Sequence, residues 1–192
     1  MSERPYNKTL GRLRLLGLYV VVALLLYLAR PSVWSVAVGA VFVALGEAVR
    51  FWSAGHLRKT VELVTSGPYR YTRNPLYLGR LLILTGLCIM VQLPYGGSWI
   101  ALVLGWVAFF GYYLPRKERV EPARLSATHG EAFDRYFRAV PALFPSWKPY
   151  PDALDRRWEV GRMLKNREHW MVAGLLLATL FLLWRALSLQ GG

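Results

Sequence analysis

The chain has 192 residues, 55% of them apolar, and carries 24 Lys and Arg against 11 Asp and Glu, a formal net charge of +13. This length sets one domain, and the positive mean hydropathy with apolar runs near membrane-spanning length excludes an ordinary soluble globule. The single cysteine, Cys88, excludes an intrachain disulfide, and the three histidines (His56, His129, His169) lie too far apart to show a metal-ligand spacing.

Five apolar runs read as membrane helices: Leu13–Ala29, Val33–Ala54, Leu76–Leu93, Trp99–Leu114 and Trp170–Leu187. The predicted fold class is therefore all-α: a polytopic membrane helix bundle of about five transmembrane helices with cytoplasmic interfacial helices, in one domain spanning 1–192. Arg30-Pro31 turns the first run directly into the second, with no small-residue cleavage site, so a signal peptide is not expected. All but Arg30 and Arg185 of the Lys and Arg fall on one side of this topology. The positive-inside rule then puts the N-terminus in the cytoplasm and the C-terminus outside. This topology and anionic headgroups account for the basic charge, so nucleic acid is not an expected partner.

Within the second run, Glu47 and Arg50 stand three residues apart, spaced for a local ion pair or a ligand contact. The third run is preceded by Gly67-Pro68-Tyr69-Arg70-Tyr71-Thr72-Arg73-Asn74-Pro75. Proline disfavours helix in the residue before it, so an irregular loop should end with Pro75 in the first turn of a membrane helix. Arg70, Arg73 and Arg80 could bind a carboxylate or phosphate, or anchor headgroups. Tyr69, Tyr71 and Tyr77 fit an interfacial belt or a ligand's flat face. Gly79 allows close approach of a ligand or a neighbouring helix. After the fourth run come Glu118 and Glu121 in a basic stretch, where both can neutralise Arg116, Lys117 and Arg119; Glu121, just before Pro122, is also placed to receive a ligand's ammonium or ribose hydroxyls. Leu125, His129, Phe133, Tyr136 and Val140 share a helical stripe, with Pro122 suited to its first turn and Pro141 and Pro145 to its end. Leu154–Arg167 suggests a second interfacial helix before the last span.

The stretch GPYRYTRNPLYLG, Gly67–Gly79, resembles the GPYxxxRHPxYxG signature of isoprenylcysteine carboxyl methyltransferases and related bacterial phospholipid methyltransferases. Phe51–Leu57 before it, and Glu121, His129-Gly130, Phe133, Tyr136, Val140-Pro141 and Pro145 after it, fit the same family in order and spacing. The resemblance covers roughly residues 40–147 and leaves a C-terminal transmembrane helix, about 169–187, outside it. It implies S-adenosyl-L-methionine as cofactor, bound at the cytoplasmic membrane face. Tyr69, Arg73, Asn74, Tyr77, Leu78, Gly79 and Glu121 would contribute to its pocket, with Arg73 also catalytic. The partner it implies is a lipophilic acceptor arriving from the membrane lipids, a lipid amine or a prenylcysteine-like carboxylate; the setting is an integral protein of a bacterial inner membrane. Asn74 replaces the family's His, Pro122 the second Glu of a Glu-Glu pair, and His129 a Phe. Two other readings stand beside it: a non-enzymatic protein binding anionic lipid or a partner, and a sterol-reductase-like NADPH enzyme.

Overall fold

The computed structural model of the chain describes residues 8–57 and 63–191, and the side chains within them except those of 8–15, 18–19 and 120–129. The described residues form helices and connecting segments only: α1 (Lys8–Leu28), α2 (Val33–His56), α3 (Pro75–Val91), α4 (Gly97–Ala108), α5 (Leu114–Ala139), α6 (Val160–Lys165) and α7 (Glu168–Gln190). Short 3₁₀ turns cover Gly67–Arg70 and Pro94–Gly96. Three stretches are long and apolar enough to cross a membrane: Val33–His56, Pro94–Arg119 and Glu168–Gln190; Pro75–Val91 is a shorter apolar helix. The chain is a helical membrane bundle.

The turn at Arg30-Pro31 forms where expected. Ser32 caps α2 reciprocally with Ser35: Ser35 N–H donates to Ser32 Oγ at 3.1 Å and Ser32 N–H to Ser35 Oγ at 3.0 Å. The Arg30 amide donates to the Val91 carbonyl at 3.1 Å, which brings the α1–α2 turn to the end of α3. From α7, Arg185 donates to the Ala29 and Tyr27 carbonyls at 2.7 and 2.6 Å, satisfying carbonyls that the end of α1 leaves open. The two basic residues set apart by the charge pattern thus lie at one end of the bundle. The signature loop lies at the other.

α2 and α3 make the closest pair. A Cβ on Gly39 would lie 2.5 Å from the Gly86 carbonyl oxygen, and one on Gly46 would lie 2.7 Å from that of Gly79. Small residues at both levels let the backbones touch, which is how helices gain packing where lipid offers no hydrophobic drive. α7 covers α2 from another side, closing a core of Val36, Val43, Met90, Leu182 and Ala186. The outward residues of α4 and α7, such as Val103, Leu104, Val107 and Leu177, are exposed and apolar, as a lipid-facing surface requires.

Two expectations for the segment after the fourth run are corrected. The helix does not begin at Pro122: α4 continues through a π-helical turn, Phe109–Tyr113, into α5, so Pro122 sits in a helix interior. The continuous backbone carries Glu118 down from the membrane toward the loop. Gly130, at φ 54° and ψ −133°, then breaks the helix direction, a conformation glycine adopts without the Cβ penalty. Phe133, Tyr136 and Val140 share the buried face that their spacing predicted, while Leu125 and His129 lie outside the described side chains. The second correction concerns Leu154–Arg167, of which only Val160–Lys165 is helical. Residues 154–159 are non-helical and tied to the end of α2: Trp158 Nε1–H donates to the Phe51 carbonyl at 3.1 Å and the Glu159 amide to that of Gly55 at 3.1 Å.

Candidate functional site

Gly67 opens the signature loop at φ 59°, where a Cβ would lie 2.3 Å from the His56 ring. Only glycine fits there, and the loop is seated on the end of α2, with His56 Nδ1 3.1 Å from Ser66 Oγ. From Arg70 onward the loop runs beside residues 141–150. The Arg73 amide donates to the Pro141 carbonyl at 2.9 Å, Ser146 N–H to that of Tyr71 at 2.9 Å, and Tyr150 N–H to that of Arg70 at 2.8 Å. Thr72 Oγ1–H donates to the Leu143 carbonyl at 2.8 Å. The buried Tyr136 hydroxyl donates to the Tyr69 carbonyl at 2.7 Å, and burial pushes its pKa well above the ordinary tyrosine range. The two motifs, far apart in sequence, are one docked unit.

At its centre stands Glu118. Its Oε2 accepts from Arg73 Nη2 at 2.5 Å and its Oε1 from Asn74 Nδ2 at 2.6 Å. The other Arg73 amino group donates to the Phe137 carbonyl at 2.8 Å, and the guanidinium lies 3.6 Å over the Phe137 ring centroid. Arg73 Nε is buried with no hydrogen-bond partner. Burial lowers the pKa of this guanidinium, and the charge of Glu118 works against that shift. Asn74 occupies the N-cap position of α3, but its side chain makes no capping bond. It donates instead to Glu118 and to the Ala142 carbonyl at 2.8 Å, and accepts from Lys117 Nζ. Lys117 Nζ also lies 4.4 Å over the ring of Tyr77, which packs beside Tyr113 at 5.2 Å between centroids.

The structure therefore brings Arg73, Asn74 and Tyr77 together around Glu118 and Lys117. The other residues implied by the resemblance are distributed differently. Leu78 packs on the apolar cluster of Leu81, Phe109 and Leu143. Gly79 faces α2, where a Cβ would lie 2.4 Å from Arg50 Cγ. Tyr69 is buried beneath Tyr136. Glu121 is in α5, but its side chain lies outside the described residues. Glu118 carried a signal, one helical turn before Glu121; Phe137 carried none, since its contact with Arg73 exists only once α5 folds back past Gly130. Arg50 also differs from the local pair its spacing suggested. It chelates Glu168 of α7 at 2.8 and 2.7 Å, and Glu47 stands 3.8 Å away.

A guanidinium, an ammonium, a carboxylate, an amide and aromatic rings converge here at the foot of a membrane helix. Such a donor set complements a ligand with a zwitterionic tail, a cationic centre and a flat base. A separate cavity of about 410 Å³ lies beyond Tyr150, lined by Leu63, Thr65, Arg135, Asp152, Leu154 and Arg156 among others. Among the described residues no group of three His, Cys, Asp or Glu is placed to hold a metal ion.

The sequence pattern of the phospholipid methyltransferase family matches residues 21–117. The chain belongs to this family. The match takes in α2, α3, α4 and the signature loop, with Arg73, Asn74, Tyr77 and Lys117; Glu118 is the next residue, and α6 and α7 lie beyond it. Two relatives with other names are similar. The chain is 32% identical over 131 residues to the nickel-cobalt-cadmium resistance protein NccN of Alcaligenes xylosoxydans xylosoxydans, across 67% of this chain and 58% of that protein. It is 35% identical over 114 residues to the cobalt-zinc-cadmium resistance protein CzcN of Cupriavidus metallidurans, across 58% and 50%. The chain thus spans between half and three-fifths of the length of these relatives. No solved structure matches it.

Proposed function

We propose that this methyltransferase-family chain uses S-adenosylmethionine to methylate a lipophilic acceptor at the membrane face where α3 begins. The observation that supports this most is the Arg73–Glu118–Asn74–Lys117 constellation at the head of an apolar helix. Arg73 and Lys117 are the groups suited to the cofactor's carboxylate, Glu118 to its ammonium or ribose hydroxyls, and the Tyr77 face to its cationic or flat parts. When bound, the cofactor supplies a methyl group on a positively charged sulfur, open to direct displacement.

The chain's own task is then alignment and exclusion of water, which can supply several kcal/mol of the barrier reduction. Arg73 is fixed by Phe137 on one side and Glu118 on another, so it meets a ligand with little freedom left to lose. Glu118 is also the group that a ligand carboxylate must share or displace at Arg73. The outward face of α4 is apolar from Val103 to Val107 and ends at exposed Tyr112 and Tyr113 beside Tyr77. That face offers a two-chain lipid a path to the site, so a lipid amine is the acceptor we favour over a prenylcysteine-like carboxylate. The charge pattern supports a cytoplasmic position for this face, and a bacterial inner membrane is the setting we propose.

The test is transfer of label from methyl-labelled S-adenosylmethionine into the organic extract of membranes containing the protein, beside Arg73→Ala. We expect labelled lipid from the native chain and none from the variant. Equal labelling by both would remove Arg73 from the mechanism. No labelling, with no binding of S-adenosylhomocysteine to the purified protein, would sink the cofactor assignment.

A further inference from the structure

Beyond the family's matched region, α7 begins with a charged side chain buried inside the bundle. Glu168 is 5% exposed, and both its oxygens accept from Arg50 Nη2, itself on a residue only 2% exposed. Arg50 reaches from α2 to the start of α3. Its Nη1 points at the Leu76 carbonyl, 3.4 Å away, and its aliphatic stem fills the space left by Gly79. Leu76 is two residues from Asn74 and three from Arg73. The chain delivers Glu168 through Arg167 in the left-handed region, φ 60° and ψ 25°, a conformation that costs a non-glycine residue roughly 1 kcal/mol or more. Asn166 Nδ2 donates to the Ala54 carbonyl at 3.1 Å, so this turn is tied to α2 just before the helix begins.

We infer that Glu168 is a positioning residue: through Arg50 it holds the first turn of α3, and with it Arg73 and Asn74, in the geometry that binds the methyl donor. The inference rests on the proposed methyl transfer. A second carboxylate makes it testable. Glu47 lies 3.8 Å from Arg50 Nε, and neither of its oxygens has a hydrogen-bond partner. Once Glu168 is neutral, Glu47 is the remaining counter-ion for a charge that cannot stay buried unpaired. The guanidinium then turns toward Glu47 and away from Leu76. Glu168 thus selects which of two positions Arg50 adopts.

Glu168→Gln should leave a folded protein whose KM for S-adenosylmethionine rises on the order of tenfold while kcat changes much less. Glu47→Gln, which keeps the Arg50–Glu168 pair, should leave KM unchanged. Arg50→Met with Glu168→Met, made in the Glu47→Gln background so that no buried carboxylate is left without its cation, removes the charges together and should fold, yet retain the raised KM because nothing holds Leu76. Unchanged KM in both Glu168→Gln and the double Met variant would overturn the positioning role. So would full recovery of KM in the double Met variant, since charge neutrality alone would then suffice. If Glu168→Gln does not fold, the double Met variant decides. A readout independent of activity is the maleimide labelling rate of Leu76→Cys in a Cys88→Ser background, which should rise when Glu168→Gln is added. Faster labelling in a protein that binds no S-adenosyl compound would uphold the mechanical link and reject the cofactor instead.

Discussion

Replacing Gly79 by alanine separates two readings of that residue, a ligand contact and a helix contact. The new methyl group would lie 2.4 Å from Arg50 Cγ and 2.7 Å from the Gly46 carbonyl oxygen. Neither neighbour can yield easily: one is helix backbone, and the other is a side chain held at its far end by Glu168. Relieving both contacts needs α2 and α3 to part by roughly 1 Å, in an interior packed as densely as a crystal. Over-packing of this kind costs about 1–3 kcal/mol. A matched control is Gly174→Ala in α7, where a Cβ meets nothing within 4 Å and alanine's better helix propensity favours the variant by up to about 1 kcal/mol. Denaturant titration of both variants in detergent should place Gly79→Ala well below the native midpoint and Gly174→Ala at or above it. Coincident midpoints would refute the close α2–α3 contact. Weakened donor binding at native stability would instead return Gly79 to the ligand.

Glu118→Ala should lower stability by about 2–4 kcal/mol, because it leaves Arg73 Nη2 and one of the two Asn74 Nδ2 hydrogens unpaired at a site only partly reached by solvent. Glu118→Gln, which keeps an acceptor, should lose about half as much, and thermal unfolding checks both. The protonated Tyr136 gives an alkaline prediction. Above pH about 10 the unfolded chain releases a phenolic proton that the folded chain retains, so its contribution to stability is full below that pH and declines above it. Tyr136→Phe should be less stable by about 1 kcal/mol at neutral pH, from the lost bond to the Tyr69 carbonyl, yet show a shallower fall at high pH. An equally steep fall would mean another group titrates.

The apolar helices and the turns between them were legible from local chemistry, and the polar segments after the fourth run were not. Apolar runs of spanning length must hide their backbone groups in helices. Pro31, Pro75 and Pro141 mark boundaries because a pyrrolidine has no N–H and restricts the residue before it. The positive φ of Gly67, set against the His56 ring, and of Gly130, inside the stripe that the spacing read as one helix, belong to the folded chain instead. The docking of the signature loop on the later motif could be anticipated only through family resemblance. Its mechanism, backbone bonds from residues 71–73 to 141–146, appears once both segments share one end of the bundle.

Partner choice among charged residues depended on the tertiary structure. A sequence offers Arg50 a carboxylate three residues away, but a buried guanidinium takes the partner that meets it squarely, and Glu168 is separated from it by 118 residues. Glu118 could have neutralised its basic neighbours on the same helix. The uninterrupted path from α4 through the π turn into α5 aims it at Arg73 and Asn74 instead. Local order follows from each residue's own geometry and from the solvent around it. Charge pairing is decided by which buried groups the folded backbone leaves close enough to satisfy one another.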